Sequence, residues 1–258
     1  NNKFKIHNRF RIIKKILKIL LSLKLLPFQK IKLSKLQNEL LKINNSRNIS
    51  RWQNYHSDYI DNSGNIIITP RFEYIIELLK SRDISKVTEL AGNQGIFARL
   101  IESHILQITR IICSDYDVNA IDKLYLECKK RLSKTRIIPV ALDCIFPELV
   151  GVCIKPEIRF KSDALIALAI IHHLTLRQNI PFDYVFKVFS SFTTKYIITE
   201  FMPLGLYDGK ITEKPNFIPD WYNIEKFRNA FTKFFKIISE RQIEINRIVF
   251  FGELQDEK

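Results

Sequence analysis

Glu89, Asp115 and Asp143 each stand at the end of a short apolar stretch in the middle of the chain. Such stretches are typical of buried parallel strands, whose carboxyl ends meet at the ligand-binding edge of an open α/β sheet. A carboxylate can accept hydrogen bonds from both hydroxyls of a ribose, and Asp115 is placed for that contact. Asp143 is placed to accept from the exocyclic amine of an adenine, with Leu142 or Cys144 against the ring. The pattern predicts a nucleoside-binding site.

Two of the seven glycines lie three residues apart, directly after Glu89. Gly92 and Gly95 fall between an apolar strand and a helix, where glycine permits unusual dihedrals and the close approach of a ligand. By itself the pattern fits an ordinary turn between strand and helix, and the carboxylates at the strand ends favour the alternative, a cofactor-binding loop. Asp117 competes with Asp115 for the ribose, but its position before a helix favours a role as N-cap.

Paired histidines follow a fourth apolar run, and they are candidate bases. Adjacent side chains are expected to point in different directions, so His172 and His173 are poor joint ligands for one metal, and no metal site is predicted. An imidazole suits the removal of a proton from a hydroxyl. Glu200, expected just after the fifth strand, is the next candidate base, and His56 is another. The alternative for the histidine pair is a structural role that shapes the loop.

The segments around these residues alternate between strand and helix, which is typical of a doubly wound parallel α/β sheet. Strands are predicted at 87–90, 110–115, 137–142, 163–170 and 195–198. Helices are predicted at 71–80, 95–103, 118–132 and 221–235, followed by an antiparallel hairpin of 237–240 and 245–251. This order brings the candidate residues to one edge of the sheet.

The net charge of +14 comes from the N-terminal region. Residues 1–36 hold eleven Lys or Arg and no Asp or Glu, which leaves 30 basic and 27 acidic residues elsewhere. Residues 8–26 have the pattern of a basic amphipathic helix. It fits a peripheral contact with an anionic membrane surface, or packing on a protein partner or on its own domain. Its dense apolar face disfavours a nucleic-acid partner.

Aromatic residues precede and follow the predicted sheet, and they are candidate walls of a substrate site. Trp52 and Tyr55 lie in a polar and aromatic segment before the core, whose alternative role is a packed linker. Tyr207 lies in a long loop, and Trp221 follows it. Their rings could stack on a sugar or another ring, and the alternative is core packing.

Four cysteines without metal-type spacing favour a reducing compartment. Because no apolar run is long enough for a membrane span, we expect a cytoplasmic protein, peripheral on the inner face of the membrane.

The pattern Glu89-x-x-Gly92-x-x-Gly95 resembles the first motif of class I S-adenosylmethionine (SAM) methyltransferases. Further segments are similar to the nodulation-type, NoeA-like group of that class: 51–59, 156–160, 163–174, 179–182 and 196–203. The resemblance covers roughly residues 51–251. Two departures stand out: the turn Ala-Gly-Asn-Gln-Gly is less rich in glycine than is common, which would weaken SAM binding, and the basic arm has no counterpart.

The resemblance implies a Rossmann-like fold with a seven-stranded, mostly parallel sheet and helices on both faces. It implies SAM as the methyl donor, S-adenosylhomocysteine (SAH) as the product, and association with polysaccharide or glycolipid modification. The implied cofactor-binding residues are those of the turn and the strand ends, namely Glu89, Gly92, Asn93, Gly95, Asp115, Tyr116, Asp143, Cys144 and Ala169.

These observations predict a SAM-dependent methyltransferase that O-methylates a sugar, glycan or glycolipid. The predicted domains are a basic helical arm (1–50), an active-site cover segment (51–80) and a SAM-binding methyltransferase domain (81–258). One alternative is a nucleic-acid methyltransferase, although no Asn/Asp-Pro-Pro-aromatic sequence follows the fourth strand. The other is a non-catalytic subunit of the same fold that anchors or activates a partner.

Overall fold

The computed structural model describes residues 59–131, 135–147, 154–206 and 217–255. The predicted arm and the first eight residues of the predicted cover segment lie outside these ranges, so the arm and the covering role stay predictions. The core of the predicted methyltransferase domain lies within them.

Strands and helices alternate through the described ranges. The strands are β1 (Lys86–Leu90), β2 (Arg110–Asp115), β3 (Ile137–Ala141), β4 (Ser162–Ala167), β5 (Thr193–Phe201), β6 (Phe235–Glu244) and β7 (Arg247–Leu254). The helices are α1 (Pro70–Lys80), α2 (Ile96–His104), α3 (Val118–Lys130), α4 (Pro156–Arg159), α5 (Ile171–Gln178), α6 (Phe182–Ser191) and α7 (Ile224–Phe231).

All seven strands form one sheet in the order β3-β2-β1-β4-β5-β7-β6. The first five strands pair in parallel, whereas β7 is antiparallel to both β5 and β6. The strand order reverses between β1 and β4, which opens the crevice where ligands of such sheets bind. The predicted Rossmann-like fold, with a seven-stranded and mostly parallel sheet, is confirmed.

Both faces of the sheet are covered by hydrophobic side chains. Alternate residues of β4 belong to different clusters: Ala164 and Ile166 join one, whereas Leu165 and Ala167 join the other. Successive strand residues point to opposite faces, so the two clusters are the two layers of the core. This two-sided burial holds the strand ends in place beneath the candidate site.

β4 is shorter than the sequence predicted, and β5 is longer. β4 was expected to run to residue 170, but it ends at Ala167 because Ala169 has a φ of 51°, outside the conformations of a strand. β5 continues to Phe201, so Glu200 lies inside this strand and not after it. Both differences change how the candidate bases are held.

The late helix is also shorter than predicted. It was expected from residue 221, but the Asn223 side chain accepts from Lys226 N–H and caps the helix that starts at Ile224. The helix ends at Phe231, and Phe235 already opens β6, where its ring is fully buried. Trp221 therefore lies in the loop before this helix.

Among the helices within the described ranges, none has the length and apolar character to cross a membrane.

Candidate active site

The turn after β1 takes the left-handed backbone conformation at three positions. Ala91, Asn93 and Gly95 have φ values of 55°, 50° and 68°. Glycine favours such values and asparagine tolerates them, whereas alanine is strained there. Gly95 N–H donates to the Gly92 carbonyl (2.8 Å), and Gly92 N–H donates to the Ser114 carbonyl of β2 (2.9 Å). A turn with few glycines thus still forms a tight loop at the carboxyl edge of the sheet.

Gly92 is needed for close packing and not for a left-handed dihedral. It is not among the residues with positive φ. A Cβ atom at this position would lie 2.5 Å from Cys113 Sγ and 2.8 Å from Glu89 Cδ, both on buried residues. The missing side chain lets the turn pack directly on β1 and β2.

Gly92→Ala is expected to destabilise the protein by about 1–3 kcal/mol, because the added methyl group overpacks a buried site. Urea unfolding measures the loss. Ala91→Gly is the matched control in the same turn: it removes a strained alanine, and its stability should stay within about 1 kcal/mol of the original. Unchanged stability of Gly92→Ala would mean that the turn can move away from β2.

Glu89 lies beneath this turn and is only 4% exposed. Burial raises the pKa of Glu89 to about 8, despite hydrogen bonds with the Cys113 thiol and the Ala98 amide, which lower it. Its Oε2 atom has no hydrogen-bond partner among the described residues. Below this pKa the carboxyl is predominantly protonated, and it is a polar group with unused hydrogen-bonding capacity at the ligand edge.

Asp115 connects the turn to the end of β2. Its Oδ2 accepts from Asn93 N–H (2.8 Å) and its Oδ1 from Asp117 N–H (2.7 Å). Burial raises the pKa of Asp115. Each oxygen can accept a second hydrogen bond, so the carboxylate keeps capacity for ribose hydroxyls.

The residues after Asp115 have different roles. Asp117 accepts from Asn119 N–H (3.0 Å) and caps α3, which confirms the predicted N-cap. Tyr116 is 65% exposed, so its ring is open to a ligand or to solvent.

Asp143 and Cys144 shape the loop after β3. Asp143 Oδ1 accepts from Ile145 N–H (3.0 Å) and Phe146 N–H (2.9 Å). Cys144 is buried, and burial raises the pKa of its thiol to about 12, so it packs as a neutral apolar group. The loop is held at the edge next to β2, where an adenine contact by Asp143 stays a prediction.

His172 and His173 lie side by side in the first turn of α5. Their ring centroids are 4.3 Å apart and tilted by 41°. The two side chains leave the helix about 100° apart around its axis, yet their rings lie against each other. Even so, no group of three His, Cys, Asp or Glu side chains within the described ranges could hold a metal ion.

Both histidines are neutral at pH 7. Burial, together with the charges of His173, Arg247 and Arg177, lowers the pKa of His172 to about 2. Burial also lowers the pKa of His173 to about 4, together with the charge of Arg177. His172 is 4% exposed, and its Nδ1 has no hydrogen-bond partner in the part of the chain that the structure describes. A neutral ring with a free nitrogen can accept a hydrogen bond from a hydroxyl.

Glu200 is engaged by two arginines that were not predicted as site residues. Its Oε1 accepts from Arg71 Nη1 (3.4 Å) and its Oε2 from Arg247 Nη1 (3.0 Å). Oε2 also accepts from Ala169 N–H (2.9 Å). Arg71 also donates to the Tyr59 hydroxyl (3.2 Å), and both residues lie in the predicted cover segment.

A sequence signal for Arg71 exists. It stands four residues before Ile75, on the face of α1 that buries Phe72, Ile75 and Leu79. An arginine on a buried face needs an anionic partner, so its position predicts a buried ion pair. For Arg247 no such signal exists, because it follows a turn and its partner lies on another strand.

The predicted aromatic walls are described only in part. Trp221 is 46% exposed and lies against Phe182 (centroids 6.3 Å apart) and its neighbour Tyr222 (6.1 Å). Trp52, Tyr55, His56 and Tyr207 lie outside the described residues, and their roles stay predictions.

No protein-family model matches this chain, and no curated protein matches it. Solved structures do resemble it. A protein from Pyrococcus horikoshii OT3 has a TM-score of 0.57 at 16% identity over 81% of this chain and all of the other. The methyltransferase domain of bacterial CtHen1 has a TM-score of 0.51 at 17% identity, covering 72% of this chain and 98% of that domain. A SAM-dependent methyltransferase from Aquifex aeolicus has a TM-score of 0.51 at 10% identity, covering 83% of this chain and 97% of the other.

At these identities the likeness concerns the fold. The chain has the Rossmann-like fold of class I SAM-dependent methyltransferases, in agreement with the strand order and with the sequence resemblance. What its own residues do at the carboxyl edge is a separate question.

Proposed function

We propose that this protein is a SAM-dependent methyltransferase. The observation that carries the proposal is the hydrogen bond from Asn93 N–H to Asp115 Oδ2 (2.8 Å), which joins the glycine turn and the strand-end carboxylate into one site. This site lies beside the crevice between β1 and β4, where ligands bind in open α/β sheets.

The chemistry of the residues present fits SAM. Asp115 offers acceptors for the ribose hydroxyls, and the tight turn at Gly92 permits close approach of the cofactor. The buried Oε2 of Glu89, without a partner among the described residues, fits a polar group of the amino-acid part. Asp143 would serve the adenine amine. When bound, SAM supplies a methyl group activated by its sulfonium.

On the other half of the edge, the neutral histidines serve the acceptor. A hydroxyl acceptor must lose its proton as it gains the methyl group, and a neutral imidazole can accept it. We propose His172 for this contact, because its Nδ1 is buried and has no partner among the described residues. His173, whose ring lies beside it, is the alternative. Because their pKa values are low, the histidine orients the hydroxyl as a hydrogen-bond acceptor and does not keep the proton, which passes to water as the oxygen takes the methyl group.

For the acceptor we propose a sugar, in a glycan or glycolipid. The support is the sequence resemblance to the NoeA-like group, together with aromatic rings at the rim of the edge. Phe146 and Tyr184 are 60% and 42% exposed, and their rings stack with centroids 6.5 Å apart. Trp221 adds a third partly exposed ring. Exposed aromatic faces of this kind stack on the apolar faces of sugar rings.

The test begins with calorimetry of SAM and SAH, for which we expect micromolar dissociation constants. SAM with a labelled methyl group is then incubated with cell-envelope glycan fractions, with RNA and DNA as parallel arms. Labelled glycan that disappears in His172→Gln, while SAH affinity is retained, supports the proposal. Labelled nucleic acid would contradict the acceptor.

Two other outcomes separate the alternatives. Binding of SAH without labelling of any fraction would favour the non-catalytic subunit. Absence of binding to both SAM and SAH would contradict the proposed function, and it would point to the turn with few glycines as the reason.

A further inference from the structure

Glu200 is a buried carboxylate on which three different parts of the protein converge. Its side chain is 0% exposed. Arg71 comes from α1, Arg247 from β7, and the Ala169 amide from the loop after β4. We call these four residues the Glu200 cluster.

The contacts of Glu200 differ from those expected of a base. Two oxygens offer about four acceptor sites, and donors of the protein occupy three of them. Two guanidinium groups compensate for the burial of the carboxylate, and a buried charge without such partners is strongly unfavourable. The arrangement holds the carboxylate in place and leaves few of its acceptor sites for a hydroxyl of the methyl acceptor.

What the cluster holds is a strained piece of backbone. Ala169 has a φ of 51°, a conformation that residues other than glycine rarely adopt. Such a conformation persists only when surrounding contacts impose it. The hydrogen bond from Ala169 N–H to Glu200 Oε2 is a direct contact of this kind.

The conformation of Ala169 decides where the histidines lie. It ends β4 at Ala167, and α5 starts at Ile171, with His172 as its second residue. No side chain caps this helix, so its starting point depends on the loop before it. Only two residues separate Ala169 from His172, which leaves little freedom for the ring to shift independently.

We infer that Glu200 is a positioning residue: it holds the loop of residues 168–170 so that α5 presents His172 and His173 at the carboxyl edge. The catalytic meaning of this inference rests on the proposed methyl transfer. Its structural content does not, because the loop can be followed in the protein without cofactor or acceptor.

The test combines hydrogen exchange with NMR of the histidine rings in the full-length chain. In Glu200→Gln, an amide donor faces the guanidinium groups, and the loop loses its fixed acceptor. We expect backbone amides 169–174 to exchange at least about tenfold faster, while amides of β2 and α3 keep their protection. The ring signals of His172 and His173 should shift.

Glu244→Gln is the matched control. Glu244 pairs with the same arginine, Arg247 Nε (2.9 Å), but its side chain is 46% exposed, and its hydrogen bonds do not include the Ala169 amide. It should leave the exchange of 169–174 and the histidine signals unchanged. Leu79→Ala removes buried apolar contacts of α1, and its hydrogen-exchange pattern is the reference for general destabilisation.

If Glu200→Gln alone fails to fold, the double variant Glu200→Gln/Arg247→Met removes one carboxylate and one guanidinium together and keeps the net charge of the cluster. Exchange that rises equally throughout the protein, as in Leu79→Ala, would overturn the inference, and so would unchanged exchange at 169–174. Failure of the wild-type chain to bind SAH would instead contradict the proposed function and leave the exchange result valid.

Discussion

Replacing Glu89 by glutamine is expected to stabilise the protein by on the order of 5 kcal/mol at pH 9. The folded protein holds the pKa of Glu89 at about 8, far above its ordinary value of 4.5. The folded state therefore binds a proton more tightly than the unfolded chain does. The stabilisation that Glu89 contributes is therefore complete below pH 4.5 and is lost as the pH rises through about 8.

Glutamine resembles the protonated carboxyl in shape and does not titrate, so its advantage grows with pH. With about 1.4 kcal/mol per pH unit, we expect less than about 1 kcal/mol at pH 5, about 3 at pH 7 and about 5 at pH 9. Urea unfolding of both proteins at the three pH values measures the difference.

Glu253→Gln replaces an exposed carboxylate on β7 and should show no such trend. Parallel stability curves for Glu89→Gln and the original protein would mean that the buried carboxyl titrates normally, which requires water or a cation near Oε2.

Asp115→Ala is expected to lower the affinity for SAH by about 100-fold or more. Hydrogen bonds to a charged group contribute about 1.5–3 kcal/mol each, and the variant loses those to the ribose hydroxyls. It also releases Asn93 N–H, which Asp115 holds at 2.8 Å, so the turn loses its connection to the strand end. Calorimetry with SAH measures the change, and Asp115→Asn should fall between the two.

Asp117→Ala is the control for this prediction. Asp117 lies two residues away and caps α3, so its loss should cost about 1 kcal/mol of stability and change the affinity only a few-fold. If Asp115→Ala binds SAH as tightly as the original protein, Asp115 does not contact the ribose, and the cofactor is held elsewhere.

Glu89 and Asp115, the subjects of these two predictions, lie on one side of the carboxyl edge, and the Glu200 cluster supports the loop on the other side. The division matches the proposed chemistry: Glu89 and Asp115 lie on the side of β1 and β2, and the histidines follow β4. Glu89 and the Glu200 cluster are coupled, because the charge of Arg71 lowers the pKa of Glu89. Variants of Asp115 should leave the readouts of the Glu200 cluster largely unchanged.

Local patterns were enough to predict the fold and the placement of three carboxylates near strand ends. Apolar stretches ending in Glu89, Asp115 and Asp143 predicted parallel strands with carboxylates at one edge, and the structure has strands that end at or beside these positions. The N-cap at Asp117 was predictable because capping involves only neighbouring residues. The position of the glycine turn was predictable, but the role of Gly92 in close packing against β1 and β2 was not.

What the sequence alone determined were features set by near neighbours along the chain: strand and helix periodicity, caps, and the order that leads to a parallel sheet. The tertiary structure decided the rest. Glu200 looked like a free carboxylate after a strand, but it lies inside β5 between Arg71 and Arg247, which are far from it in sequence. Whether a buried carboxylate acts as a base or holds a loop depends on donors brought from other elements, and only folding brings those donors together.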